Sequence, residues 1–283
     1  MTTLRFRSAH ARVDLRGVER LDDHARALIL NVTAPMAAAD SDPTPPDHAL
    51  DVATLVLAAD PDRAAATVVS AVDRALLAST PCLTVHAAAL AGPRGAVIVP
   101  GVSGAGKTTL AAAAMQAGLR LLSDEAACLD AERDLVWAHP RPLGLSAHSR
   151  QLLGLPSPTF GPEDDERATA PSLLGVCVPT DEPVTPAFVM LPERSSRTGA
   201  DRYAQDTPTP HTSYTDEPII TDSTSARGLA ALLDNCLNTR SAGPWPPDRA
   251  WSRLAALMAG QRVVSLRYTT PSEGAAALVE LLS

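Results

Sequence analysis

Lysine is almost missing from this chain: of 24 basic residues among 283, one is lysine, Lys107, and the other 23 are arginine. Aromatic residues are scarce as well. With three each of Phe, Tyr and Trp, a sizeable core has to be built from Ala, Leu and Val, which favours helices packed on a sheet. No segment reaches ~18 uninterrupted apolar residues, and residues 1–7 do not lead into the apolar run of a signal peptide. A cytoplasmic location with no membrane partner is therefore expected. No basic run with interleaved aromatics occurs, and the formal net charge is −8, so nucleic acid is not an expected partner. The four cysteines, Cys82, Cys128, Cys177 and Cys236, form no C-x-x-C pair, which reads as reduced thiols rather than a zinc site or a disulfide framework.

The single lysine lies in Gly101-Val102-Ser103-Gly104-Ala105-Gly106-Lys107-Thr108, which satisfies G-x-x-x-x-G-K-[ST] at every fixed position. The glycines let successive backbone N–H groups converge on an anion, and a helix beginning there adds its positive dipole end. An ammonium on a flexible stem can bridge two phosphates as a point charge where a planar guanidinium fork would collide with the loop. The flanks agree with a strand-loop-helix unit. Residues 95–100 are a β-branched run, and residues 109–115, opening with Thr109, are strongly helix-forming. After that helix, residues 119–125 read as a strand ending in Asp124 and Glu125, with 126–130 as its continuation. Carboxylates at that position can hold Mg²⁺ together with the loop hydroxyl of Thr108, or take a proton from an attacking hydroxyl.

The first eighty residues read as a separate unit. Strands are expected over residues 4–15 and 51–57, with a Pro- and Asp-rich loop over 40–48 between them. A helix capped by Asp60, with Pro61 in its first turn, presents Val68, Val69, Val72, Leu76 and Leu77 as one apolar stripe, read as core without chemistry. Residues 82–90 then form a strand that carries His86 and pairs through a tight turn with the strand before the loop. Further strands are expected at 173–178, 187–191 and 262–268, and helices at 225–238 and 248–259. A last helix is opened by the capping box Thr270-Pro271-Ser272-Glu273. Residues 192–224 are polar, Pro- and Thr-rich and aperiodic, as expected of a mobile lid, a docking loop or a disordered linker.

The run Val85-His86-Ala87-Ala88-Ala89-Leu90, the phosphate loop, Gly118-Leu119-Arg120-Leu121-Leu122-Ser123-Asp124-Glu125 and Pro140-Arg141-Pro142-Leu143 together resemble the HPr kinase/phosphorylase family. The likeness is to its shorter branch, which includes lasso-peptide and other peptide-tailoring kinases. It covers roughly residues 83–145 and, loosely, 225–283. It implies an α/β fold: a phosphate-loop kinase core with a mixed β-sheet, resembling HPr kinase and PEP carboxykinase, over residues 81–283, plus a small N-terminal α/β region over residues 1–80. In that family a histidine and an Asp-Asp pair surround the γ-phosphate, one aspartate on Mg²⁺ and one acting as base toward a serine. His86 and Asp124 match; Glu125 stands where the second aspartate is usual, which leaves base and metal ligand unassigned between the two. The implied function is ATP- and Mg²⁺-dependent phosphoryl transfer to a Ser/Thr hydroxyl of a peptide or small protein. Catalysis falls to Lys107, Asp124, Glu125 and His86; the nucleotide to residues 101–109 and Arg141; the metal to Thr108, Asp124 and Glu125. A metabolite kinase and a non-catalytic nucleotide-binding protein remain as alternatives, and a homo-oligomer is compatible with either.

Overall fold

In the computed structural model residues 2–38, 44–55, 59–155, 167–194, 217–239 and 245–283 are described. The chain opens with a hairpin in place of the single strand expected over residues 4–15. Strands β1 (Thr3–Ser8) and β2 (Ala11–Arg16) pair antiparallel, and the two turn residues, Ala9 and His10, have φ of 45° and 69°. Neither is a usual turn residue, so composition gave no sign of the reversal. Helix α1 (Asp23–Thr33) follows, and β3 (His48–Asp51) adds to β2 in parallel. The strand expected over 51–57 is corrected: residues 52–54 form a 3₁₀ turn and 56–58 lie outside the described residues. Asp51 decides this, because its carboxylate accepts from the Ala53 amide at 2.8 Å and its carbonyl accepts from the Thr54 hydroxyl at 2.8 Å. Helix α2 (Pro61–Ser79) has Asp60 as its cap, accepting from the Arg63 amide. With α1 it closes over the small sheet around Val13, Leu15, Ile29, Val68 and Val72.

The larger sheet is mixed. Its strands in chain order are β4 (Leu83–Gly92), β5 (Gly95–Pro100), β6 (Arg120–Ser123), β7 (Ala126–Leu129) and β8 (Val136–Trp137). A separate two-stranded ladder of β9 (Leu143–Leu145) and β10 (Arg167–Thr169) lies between them and β11 (Pro186–Arg194), β12 (Ile219–Asp222) and β13 (Arg262–Tyr268). Among the described residues the order across the sheet is β12-β13-β11-β5-β4-β7-β8, with β6 also on β4. The β11 neighbours are parallel and the remaining pairs antiparallel. Side chains alternate faces along it. Val97, Val99, Ala88 and Leu90 face α3 (Lys107–Gln116) and α7 (Pro271–Leu282), whereas Ala96, Ile98, Ala87 and Ala89 face α5 (Ser225–Asp234) and α6 (Pro247–Ala259). The short α4 (Ala147–Leu152) packs beside α3.

Two further expectations change. Residues 173–178 are not a strand: Pro171–Leu173 is a 3₁₀ turn, and Cys177 pairs with the sheet through an isolated bridge to Leu121. The aperiodic stretch 192–224 is strand at both ends, since β11 runs to Arg194 and β12 pairs with β13. Residues 195–216, its middle, lie outside the described residues. Among the described residues no helix is long and apolar enough to cross a membrane.

Candidate active site

Register brings the candidate residues together. Pro100, the end of β5, pairs with Ala87, so the loop that follows starts beside His86. On the other flank of β4 the partner strand is interrupted. β6 pairs with residues 89–91 and β7 with residues 83–86, leaving Asp124 and Glu125 at the break between them, opposite the loop. Period-2 alternation puts His86 on the same face as Ala88 and Leu90, which is the α3 face and therefore the Lys107 face.

The loop reverses through Gly104 and Gly106, with φ of 82° and 83°, and the Ala105 amide closes it by donating to the Val102 carbonyl at 3.2 Å. Ser103 is exposed and Val102, 71% exposed, stands at the tip. No side chain caps the N-terminus of α3, so its first amides are directed at the loop. Thr109 turns away from it, its hydroxyl 2.8 Å from that of Ser149 on α4.

Lys107 is 6% exposed and folds back under the loop, where Nζ donates to the carbonyls of Gly101 at 2.6 Å and Val102 at 3.1 Å. Its third contact is His86 Nε2, at 2.9 Å. An ammonium can only donate, so Nε2 accepts, and the ring hydrogen resides on Nδ1, 3.1 Å from Glu125 Oε1. Lys107, His86 and Glu125 are thus one polarised chain. Burial holds the Lys107 pKa below its ordinary value against the pull of Glu125 and Asp124. The hydrogen bond from His86 lowers that of Glu125, with Arg141 adding to it.

Asp124 is in a different condition. It is 1% exposed, neither carboxylate oxygen has a hydrogen-bond partner, and burial pushes its pKa up to about 6. Arg141 counteracts this from 3.6 Å, Nε to Oδ1, and the Thr108 hydroxyl acts in the same direction from nearby though outside bonding geometry. The Arg141 Nε is itself buried without a hydrogen-bond partner, and its NH2 lies 3.9 Å from Glu125 Oε2. A buried carboxylate and a buried guanidinium N–H, both unsatisfied at the mouth of a phosphate-type loop, are what a cation and an anionic oxygen together would satisfy. Among the described residues no group of three or more His, Cys, Asp or Glu could hold a metal by itself. Mg²⁺ in nucleotide sites takes only one or two protein groups beside phosphate and water, so Asp124 and Thr108, with Glu125 adjacent, fit it as a donor set.

Neither known protein families nor curated protein sequences give a match to this chain.

Three side chains without a sequence-level role join the site. Asp73 on α2 accepts at Oδ2 from Arg141 NH1 at 3.2 Å and at Oδ1 from His139 Nε2 at 2.7 Å, and His139 Nδ1 lies 2.7 Å from the Ser8 hydroxyl. The available signal was small: one carboxylate inside the apolar stripe formed by Val68, Val72 and Leu76.

Proposed function

We propose that this protein is an ATP-dependent kinase that passes the γ-phosphate to a hydroxyl, a Ser/Thr side chain of a peptide or small protein in the reading its HPr-kinase-like motifs favour. The observation that carries the proposal is the buried, unsatisfied Asp124 carboxylate set between Thr108 and Arg141 beside the Lys107 loop. Burial that raises a carboxylate's pKa, here to about 6, is characteristic of functional sites, and this carboxylate lies beside the loop that would hold phosphate. Mg²⁺, when bound, supplies charge neutralisation across the phosphate oxygens. The loop amides and Lys107 hold phosphate. Thr108 and one of the two carboxylates hold the metal, and the other carboxylate orients and deprotonates the attacking hydroxyl. Glu125 suits the latter role by position: it is a third exposed, and a base has to meet an acceptor arriving from solvent. Arg141 supplies donors to charge developing on the transferred group.

The test is wild-type protein with γ-labelled ATP and Mg²⁺ against a library of Ser/Thr peptides and a panel of hydroxylated metabolites. Label on a peptide hydroxyl is the expected result. Label on a metabolite alone transfers the reading to a small-molecule kinase, and nucleotide binding without label on any acceptor or release to water removes the kinase reading.

A further inference from the structure

We infer that Asp73 is a positioning residue for Arg141, and that the buried chain Ser8–His139–Asp73 makes the N-terminal region a working part of the phosphoryl-transfer site; this rests on the kinase reading above. The distances give the reason. Arg141 makes a hydrogen bond to Asp73, at 3.2 Å, whereas its approaches to Asp124 and Glu125, at 3.6 and 3.9 Å, are charge contacts beyond hydrogen-bond length. The guanidinium is therefore held from behind, by a carboxylate of another structural unit, and not by the pair it faces.

That restraint has a chemical purpose. Arginine and carboxylate prefer a two-point fork, and a guanidinium left alone beside two carboxylates would close onto one of them. Such a closure would occupy the oxygens assigned to metal and acceptor. Asp73 prevents it by claiming NH1 while leaving Nε and NH2 directed at the site. Its own orientation is fixed because each oxygen serves a different donor: Oδ1 takes His139 Nε2–H at 2.7 Å, and His139 is in turn locked by Ser8 at 2.7 Å. The Ser8 hydroxyl lies within reach of two acceptors, His139 Nδ1 and the Ala138 carbonyl at 3.0 Å, which its single proton serves in alternation. The order Ser–His–Asp is that of a hydrolytic triad, but the Ser8 side chain is 2% exposed and lies on the far side of the ring from Asp73 and Arg141. Its role is to hold. The segment carrying both partners is pinned to the sheet independently, since the His139 amide donates to the Leu122 carbonyl at 2.7 Å, so removing Asp73 frees the guanidinium and not the backbone.

The test is a double-mutant cycle on MgATP turnover in the full chain, with ADP release as the readout. Asp73→Asn keeps the shape and removes the charge. It is expected to lower kcat ~10–100-fold and raise the Mg²⁺ requirement while leaving ADP affinity unchanged. In the Arg141→Ala background the same substitution should cost nothing more, because there is no guanidinium left to position. Ser8→Ala, the mildest change in the chain, should lose a few-fold and likewise become silent in that background; it carries the cycle if Asp73→Asn fails to fold. Losses that are additive with Arg141→Ala, or turnover unchanged in both variants, would overturn the inference. A wild-type protein without turnover would instead count against the kinase reading. In that case positioning is judged from the ¹⁵N relaxation of the Arg141 Nε–H: rigid in the wild type and mobile or shifted in Asp73→Asn if the inference holds, identical in both if it does not.

Discussion

At the scale of one residue, the loop is organised around Lys107. Its ammonium reaches three acceptors within 3.1 Å, two of them carbonyls of the loop it must span, and a guanidinium is too wide to occupy that position. Lys107→Ala should abolish MgATP turnover, and Lys107→Arg should do nearly as badly; near-normal ADP release by Lys107→Arg would contradict the geometric argument. Asp124 makes a second prediction, through pH. A folded pKa of about 6 against 3.8 unfolded means that the native state binds the extra proton, so the group's contribution to stability is lost as pH rises from about 4 through 6. Ionised at neutral pH, it costs on the order of 3 kcal/mol at most. Asp124→Asn should therefore raise Tm relative to the wild type at pH 7–8, and the difference should shrink toward pH 4; a Tm difference independent of pH would show that Asp124 is not a strained buried carboxylate. His86, Lys107, Thr108, Asp124, Glu125 and Arg141 could be nominated from sequence because each belongs to a short motif. Asp73 could not, since its partners lie 66 and 68 residues away and only tertiary contact gives a single buried polar residue a role.

At the scale of elements, the loop depends on two residues with φ above 80°. A Cβ added at Gly104 would meet no neighbour within 4 Å, so Gly104→Ala tests conformation alone. It should cost ~1 kcal/mol of stability and weaken ADP binding, measured by calorimetry. Thr270→Ala is the matching control: it removes half of the α7 capping box and should cost ~1 kcal/mol while leaving turnover per folded molecule unchanged. Elements with strong local grammar were legible, as β5, α2 with its Asp60 and Pro61, and the α7 cap demonstrate. Those set by side-chain to backbone bonds or by distant pairing were not. Asp51 turned an apparent strand into a 3₁₀ turn, the 3₁₀ turn opened by Pro171 takes in Leu173 at the start of the strand expected over 173–178, and α1 lies in a stretch where no element was expected, although Asp22 caps it through the His24 amide at 2.8 Å.

At the scale of the molecule, the mixed α/β architecture follows from composition. A chain poor in aromatics and rich in alanine packs α3 and α7 close on one face of the sheet and α5 and α6 on the other. The relation of the N-terminal region to the rest did not follow from it. The described residues of the N-terminal region build a core that is theirs apart from Ala168 and Ala170, and they reach the site through Asp73 and Ser8, a link that a reading by composition alone would cut.

The central claim, that Asp124 and Glu125 perform chemistry on a phosphoryl group held by the Lys107 loop, is tested most directly by one comparison. Phosphate transfer from γ-labelled ATP and ADP affinity are measured side by side in the wild type, Asp124→Asn and Glu125→Gln. At least one variant should bind ADP as the wild type does while losing transfer by ~10² or more, the scale of a lost general base or metal ligand, and a metal-ligand defect should also raise the Mg²⁺ requirement. Transfer at the wild-type rate in both variants would contradict the account.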